Sequence, residues 1–86
     1  MLNIVHEKEF LKNISKIKDP IFKERVIKQV EKIIENPEVG KPMKYNRKGT
    51  REVYISPYRL AYAYLPAENK LIFLKFIIKT NNNSFL

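Results

Sequence analysis

Arg59, Lys75 and Lys79 stand singly inside otherwise apolar runs of this 86-residue chain, and Lys41, Lys44, Arg47, Lys48 and Arg51 crowd the segment just before those runs. Isolated cations held by regular backbone, fed by a basic loop, make a surface suited to phosphate. An arginine fork can bond two phosphate oxygens at once, while the loop cations fit backbone phosphates, where Coulomb attraction outweighs fine geometry. Chemistry at a phosphodiester without a metal requires an activated nucleophile, stabilisation of charge on the phosphoryl oxygens and a proton for the leaving oxygen. Fixed cations supply the second of these; a lysine is a poor base unless burial or neighbouring charge lowers its pKa.

The elements that must position these residues follow from periodicity. Leu2 to Val5 suits a first strand, and Glu7 to Ile17 then places Phe10, Leu11, Ile14 and Ile17 on one helical face. Asp19-Pro20 predicts a second helix start, since Asp caps free amides and proline is tolerated at the first helical position. That helix runs to about Glu35, burying Phe22, Val26, Val30 and Ile33 with Ile27 and Ile34 beside them, and Asn36-Pro37 ends it. Pro37 to Gly49 reads as a loop broken by Gly40, Pro42, Asn46 and Gly49.

From Gly49 the period becomes two. Tyr58, Leu60, Tyr62 and Tyr64 alternate with Arg59, Ala61 and Ala63, and Ile72, Leu74, Phe76 and Ile78 alternate with Leu71, Phe73, Lys75, Ile77 and Lys79. The large apolar set of each strand is expected on the helices, leaving an open face of small residues and cations. Pro66 to Asn69 reads as a turn, and Asn81 to Ser84 as a tail ending in Phe85 and Leu86. The expected fold is α+β over residues 1–86 as one domain: an N-terminal strand, a helical hairpin and a three-stranded antiparallel meander, β-α-α-β-β-β.

The net charge of +8 is unevenly spread. Residues 1–39 carry eight Lys/Arg against seven Asp/Glu, whereas 40–51 hold five cations and no acid, and 69–86 hold three lysines and no acid. Positive potential focused in this way attracts a polyanion or an acidic protein. Cysteine is absent and His6 is the one histidine, which removes disulfides, cysteine nucleophiles and thiolate zinc sites, and argues against a histidine metal site. No run approaches the roughly 18 to 20 apolar residues of a membrane span, and the N-terminus lacks signal-peptide regions, so the expected location is cytoplasmic.

Gly49-x-Arg51, Pro57-Tyr58-Arg59-Leu60-Ala61-Tyr62 and Phe76-Ile77-Ile78-Lys79, in this order of elements, resemble the RelE/ParE toxin superfamily over nearly the whole chain. Tyr-Arg-Leu-x-Tyr is similar to RelE-like toxins, and Gly-x-Arg-x-x-(His or Tyr)-Ile-x-Pro to the YafQ-like branch. The resemblance implies a toxin of a type II toxin–antitoxin system, an endoribonuclease (messenger-RNA interferase) that needs no metal or cofactor and inhibits translation by cutting messenger RNA in the ribosomal A site. It also implies an acidic, RelB-like antitoxin in a hetero-oligomer. Arg59 then corresponds to the family's strand arginine, its plain alternative being a surface salt bridge with Glu52; Lys79 falls where an Arg or His is common, as phosphate clamp or proton donor; and Tyr54 takes the place of a His or Lys, orienting a hydroxyl or stacking on a base. Lys41, Lys44, Arg47, Lys48, Arg51 and Lys75 are the expected nucleic-acid contacts.

The sequence also departs from the family. Ile77 and Ile78 stand where polar residues including histidine are frequent, and Phe85 where RelE-like toxins often carry tyrosine. No obvious general base is left, and His6 before the first helix is more a capping or surface residue than a catalyst. Two alternatives follow: a ParE-like inhibitor of DNA gyrase, which needs no base, and an attenuated family member that binds RNA or the ribosome without cutting.

Overall fold

The computed structural model describes residues 2–43 and 48–78. It comprises β1 (Asn3–His6), α1 (Lys8–Ser15), α2 (Pro20–Glu35), β2 (Lys41–Pro42), β3 (Thr50–Ile55), β4 (Tyr58–Leu65) and β5 (Lys70–Ile78), with a short 3₁₀ turn at Pro66–Glu68. The strands form one sheet in the order β1-β5-β4-β3-β2, with β1 parallel to β5 and the other pairs antiparallel. The expected α+β architecture is present; the added element is β2, which turns part of the basic loop into a short edge strand.

Both helices start where the sequence places them. Asp19 accepts a hydrogen bond from the Ile21 amide at 3.0 Å with Pro20 as the first helical residue. The buried stripe of α2 is centred on Val26 and Ile33, and α1 contributes Phe10. Leu11 departs from the predicted face: it is 53% exposed, because one helical step carries it about 100° from Phe10. Ile27 and Ile34 likewise flank the stripe in solvent.

Leu60, Tyr62, Leu71 and Phe73 are fully buried in the core, with Phe76 nearly so. This corrects the expected facing of the last strand. Leu71 and Phe73 lie under the helices with Phe76, and Ile72 does not. The register explains it: Tyr62 opposes Phe73, Ala61 opposes Lys75, and Leu74 opposes nothing, a β-bulge that reverses the alternation midway along β5.

Where β1 ends, α1 takes over its role at the edge of β5. The register of β1 stops at Phe73, the Glu7 amide donates to the Phe73 carbonyl at 3.0 Å, and beyond the bulge the Phe76 amide donates to Asn13 Oδ1 at 2.9 Å. A side chain thus satisfies a strand amide that no neighbouring strand reaches.

Candidate functional site

Cross-strand partners share a face, so the register alone assembles the surface away from the helices. One row runs Tyr54, Arg59, Ile77 across β3, β4 and β5, and the next runs Lys41, Glu52, Ala61, Lys75 from β2 to β5. Four of the predicted site residues, Arg59, Tyr54, Lys41 and Lys75, therefore meet on one face. Lys44 and Arg47, and the proposed second catalytic group Lys79, lie outside the described residues.

At the centre, Arg59 Nη1 donates to Glu52 Oε1 at 2.9 Å, with the side chains 33% and 18% exposed. Arg59 Nε is buried with no hydrogen-bond partner. A buried donor without an acceptor costs roughly 1–3 kcal/mol, more when it belongs to a charged group. The guanidinium that carries it is held in place by the Glu52 carboxylate. Tyr54, 57% exposed, flanks Arg59 across the strand pair and presents its ring to solvent.

The Arg59–Glu52 salt bridge offered by the sequence as the plain alternative for Arg59 is present, whereas a catalytic part for Glu52 itself was not read from the sequence. Glu52 is the one acid between Glu38 and Glu68, and it stands two positions before Tyr54, hence on the same face of the strand. Those signals were present, but its approach to Arg59 depends on strand register. His6 is excluded from this face: it stacks on Phe10 and Phe73 at 5.7 and 5.6 Å, on the helix side.

Arg51 has a different employment from the predicted phosphate contact. It pairs with Tyr62 on the helix side of the sheet, and its Nη1 donates to the carbonyls of Glu38 (3.0 Å) and Gly40 (2.7 Å). Tyr62 completes the fastening, since its hydroxyl donates to the Pro37 carbonyl and accepts from the Gly40 amide, each at 2.8 Å. A Cβ on Gly40 would fall 2.5 Å from that hydroxyl oxygen, so only glycine fits. Burial raises the Tyr62 pKa above the usual 10.0, with the Gly40 bond and the Arg51 charge opposing the shift. Lys48 and Arg51 also border a cleft of ≈ 520 Å³ with Glu38, Glu68 and Tyr64.

A second cleft, of ≈ 700 Å³, opens on the helix side where the α1–α2 turn meets the β3–β4 turn. Lys16, Lys18 and Arg25 border it over Ile17, Phe22 and Tyr58. Among the described residues no cluster of three or more His, Cys, Asp or Glu could hold a metal ion, and no helix is long and apolar enough to cross a membrane.

A mixed five-stranded sheet backed by two helices recurs in solved structures of small toxins. The fold is similar to that of E. coli RelE in the intact RelBE toxin–antitoxin complex, with a TM-score of 0.74 at 16% identity over 95% of this chain and 100% of that one. It is also similar to the Mycobacterium tuberculosis RelBE2 toxin–antitoxin complex (TM-score 0.70, 20% identity, 91% of this chain and 98% of that one). A Staphylococcus aureus YoeB from a dimer structure gives a TM-score of 0.71 at 18% identity over 93% of this chain and 97% of that one. No curated protein matches by sequence. Residues 4–81 match the family described as the ParE toxin of type II toxin–antitoxin system, parDE, and the chain belongs to that family within the RelE/ParE superfamily. It is a toxin of a type II toxin–antitoxin system.

Proposed function

We propose that this toxin is an endoribonuclease that cuts messenger RNA in the ribosomal A site and so stops translation. The observation that carries the reading is Arg59: oriented by Glu52, placed on the open face, and holding a buried Nε without an acceptor. In this role Arg59 stabilises charge developing on the phosphoryl oxygens, and Glu52 takes the proton of the attacking 2′-hydroxyl. Tyr54 stacks on a neighbouring base, and Lys41 with the loop cations Lys44, Arg47 and Lys48 holds the RNA backbone. Lys79, next after the final residue of β5, is retained as a further phosphate contact.

The general base missing from the sequence reading is thus supplied by a residue whose sequence position resembles an ordinary salt-bridge partner. The net charge of +8 and the cationic border of the larger cleft favour an acidic, RelB-like antitoxin as partner in the resting hetero-oligomer.

Primer extension on messenger RNA in a purified translation system tests this reading. New 5′ ends in the A-site codon are expected with the wild-type toxin, reduced by about 10²–10³-fold for Arg59→Ala. Glu52→Gln, which keeps the shape but not the charge, is expected to abolish them as well. The match to the ParE toxin family keeps open the alternative implied by the sequence resemblance, a ParE-like inhibitor of DNA gyrase. Intact message together with blocked supercoiling would establish that reading instead.

A further inference from the structure

We propose that Lys75 is the proton donor to the leaving 5′-oxygen, and that the β-bulge at Leu74 exists in this chain to put it there. The proposal rests on the ribonuclease reading of the same face. Regular alternation from Leu71 and Phe73 would carry Lys75 to the helix side, among fully buried residues. The extra residue at Leu74 reverses the pleat, so that Lys75 stands opposite Ala61 on the open face and is exposed. Bulges near functional sites act in this way, re-aiming one side chain at the cost of local pairing.

The row Glu52, Ala61, Lys75 spans three adjacent strands. Strands lie about 4.8 Å apart, so the Glu52 and Lys75 backbones stand roughly 10 Å from each other with β4 between. Ala61 is the residue in the middle and is buried, 2% exposed, so a phosphodiester lies above the row rather than on Ala61 itself. There it has the Glu52 carboxylate on one side and the Lys75 ammonium on the other, with Arg59, two residues back along β4 and paired with Glu52, to bind its non-bridging oxygens. In-line displacement requires this polarity, because the attacking and leaving oxygens lie on opposite sides of phosphorus. Lys75 makes no ion pair or side-chain hydrogen bond among the described residues, so its ammonium protons are uncommitted.

The step balances. Glu52 takes the 2′-hydroxyl proton as the 2′-oxygen bonds to phosphorus. The bond from phosphorus to the 5′-oxygen breaks, and Lys75 gives that oxygen a proton. The products are a 2′,3′-cyclic phosphate and a free 5′-hydroxyl, and exchange with water restores both side chains.

The test uses ribosome-bound messenger RNA carrying either oxygen or sulfur at the scissile 5′-bridging position, since a thiolate leaves without needing a proton. Lys75→Met keeps the aliphatic stem on an exposed strand position, and its melting temperature should match wild type. It is expected to lose about 10²–10⁴-fold on the oxygen substrate and to recover to within about tenfold of wild type on the sulfur one. Arg59→Ala should remain impaired on both. Wild-type rates for Lys75→Met on oxygen, or equal impairment on the two substrates, would overturn the assignment while leaving the ribonuclease reading in place. A wild-type toxin inert toward both RNAs would overturn the two together.

Discussion

Arg51 and Arg59 lie on neighbouring strands of one sheet, both were expected to hold phosphate, and they do different work. Arg51 faces the helix side, and its Nη1 fastens the 38–40 loop through two carbonyls. Arg59 faces the opposite way, is oriented by one carboxylate, and keeps a buried donor without an acceptor. A guanidinium bonded to the protein's own backbone is a structural element. One held by a carboxylate with a donor left over is the arginine assigned to the phosphate under the proposed function. Side-chain type is identical; the face of the strand and the identity of the acceptors decide the role.

Exchanging the readouts for the two arginines would break this comparison. Arg51→Ala is expected to destabilise the fold by about 1.5–3 kcal/mol, the worth of hydrogen bonds made by a charged donor, with cleavage per folded molecule unchanged. Arg59→Ala should lose cleavage as given above while costing about 1 kcal/mol or less in stability, as befits a partly exposed ion pair. Urea denaturation and primer extension on the same two preparations check both. If Arg51→Ala lost cleavage at full stability, the structural role assigned to it would be wrong.

Tyr62 sharpens the Arg51 side. Replacing it with Phe leaves the Gly40 amide and the Pro37 carbonyl without their partner, at an expected cost of about 1–3 kcal/mol. The pH profile carries the signature. Because the folded pKa is raised, the neutral phenol is favoured in the native state, and its contribution is fully present below pH 10.0 and lost as pH rises through the folded pKa. Thermal melts between neutral pH and the alkaline range should therefore fall less steeply for Tyr62→Phe than for wild type.

The smallest effect expected is in salt dependence. Arg59→Ala should lower the slope of log K against log salt for ribosome-bound message by about one, and Arg51→Ala should leave it as it is. Equal slopes in the two variants would remove the distinction between a ligand-facing and a backbone-facing arginine.

Much of the frame was legible because its signals are local. Asp19-Pro20 and Asn36-Pro37 bounded α2 through capping and proline sterics, which act within a few residues. The alternation of Tyr58 to Tyr64 identified β4, but not that Ala61 and Ala63 on its other face are buried along with Leu60 and Tyr62. The last strand was read with the right period and the wrong phase in its first half, because Leu74 is an ordinary apolar residue and nothing in its type announces a bulge. Strand β2 escaped notice since Lys41 and Pro42 have no strand propensity of their own and are ordered by pairing with Glu52 and Arg51.

The site divides along the same line. Arg59, Lys41 and Lys75 stood out by charge and position in the strands, while Tyr54, and the catalytic role given to Arg59, came from the resemblance to the toxin superfamily. That Glu52 grips Arg59, that Arg51 turns to the loop carbonyls, and that Ala61 separates Glu52 from Lys75 were decided only when three strands aligned in one register. The physical reason is range: capping, proline and alternation act between residues close in sequence, whereas register is a property of pairs far apart in the chain, fixed by the packing of the whole core against the sheet.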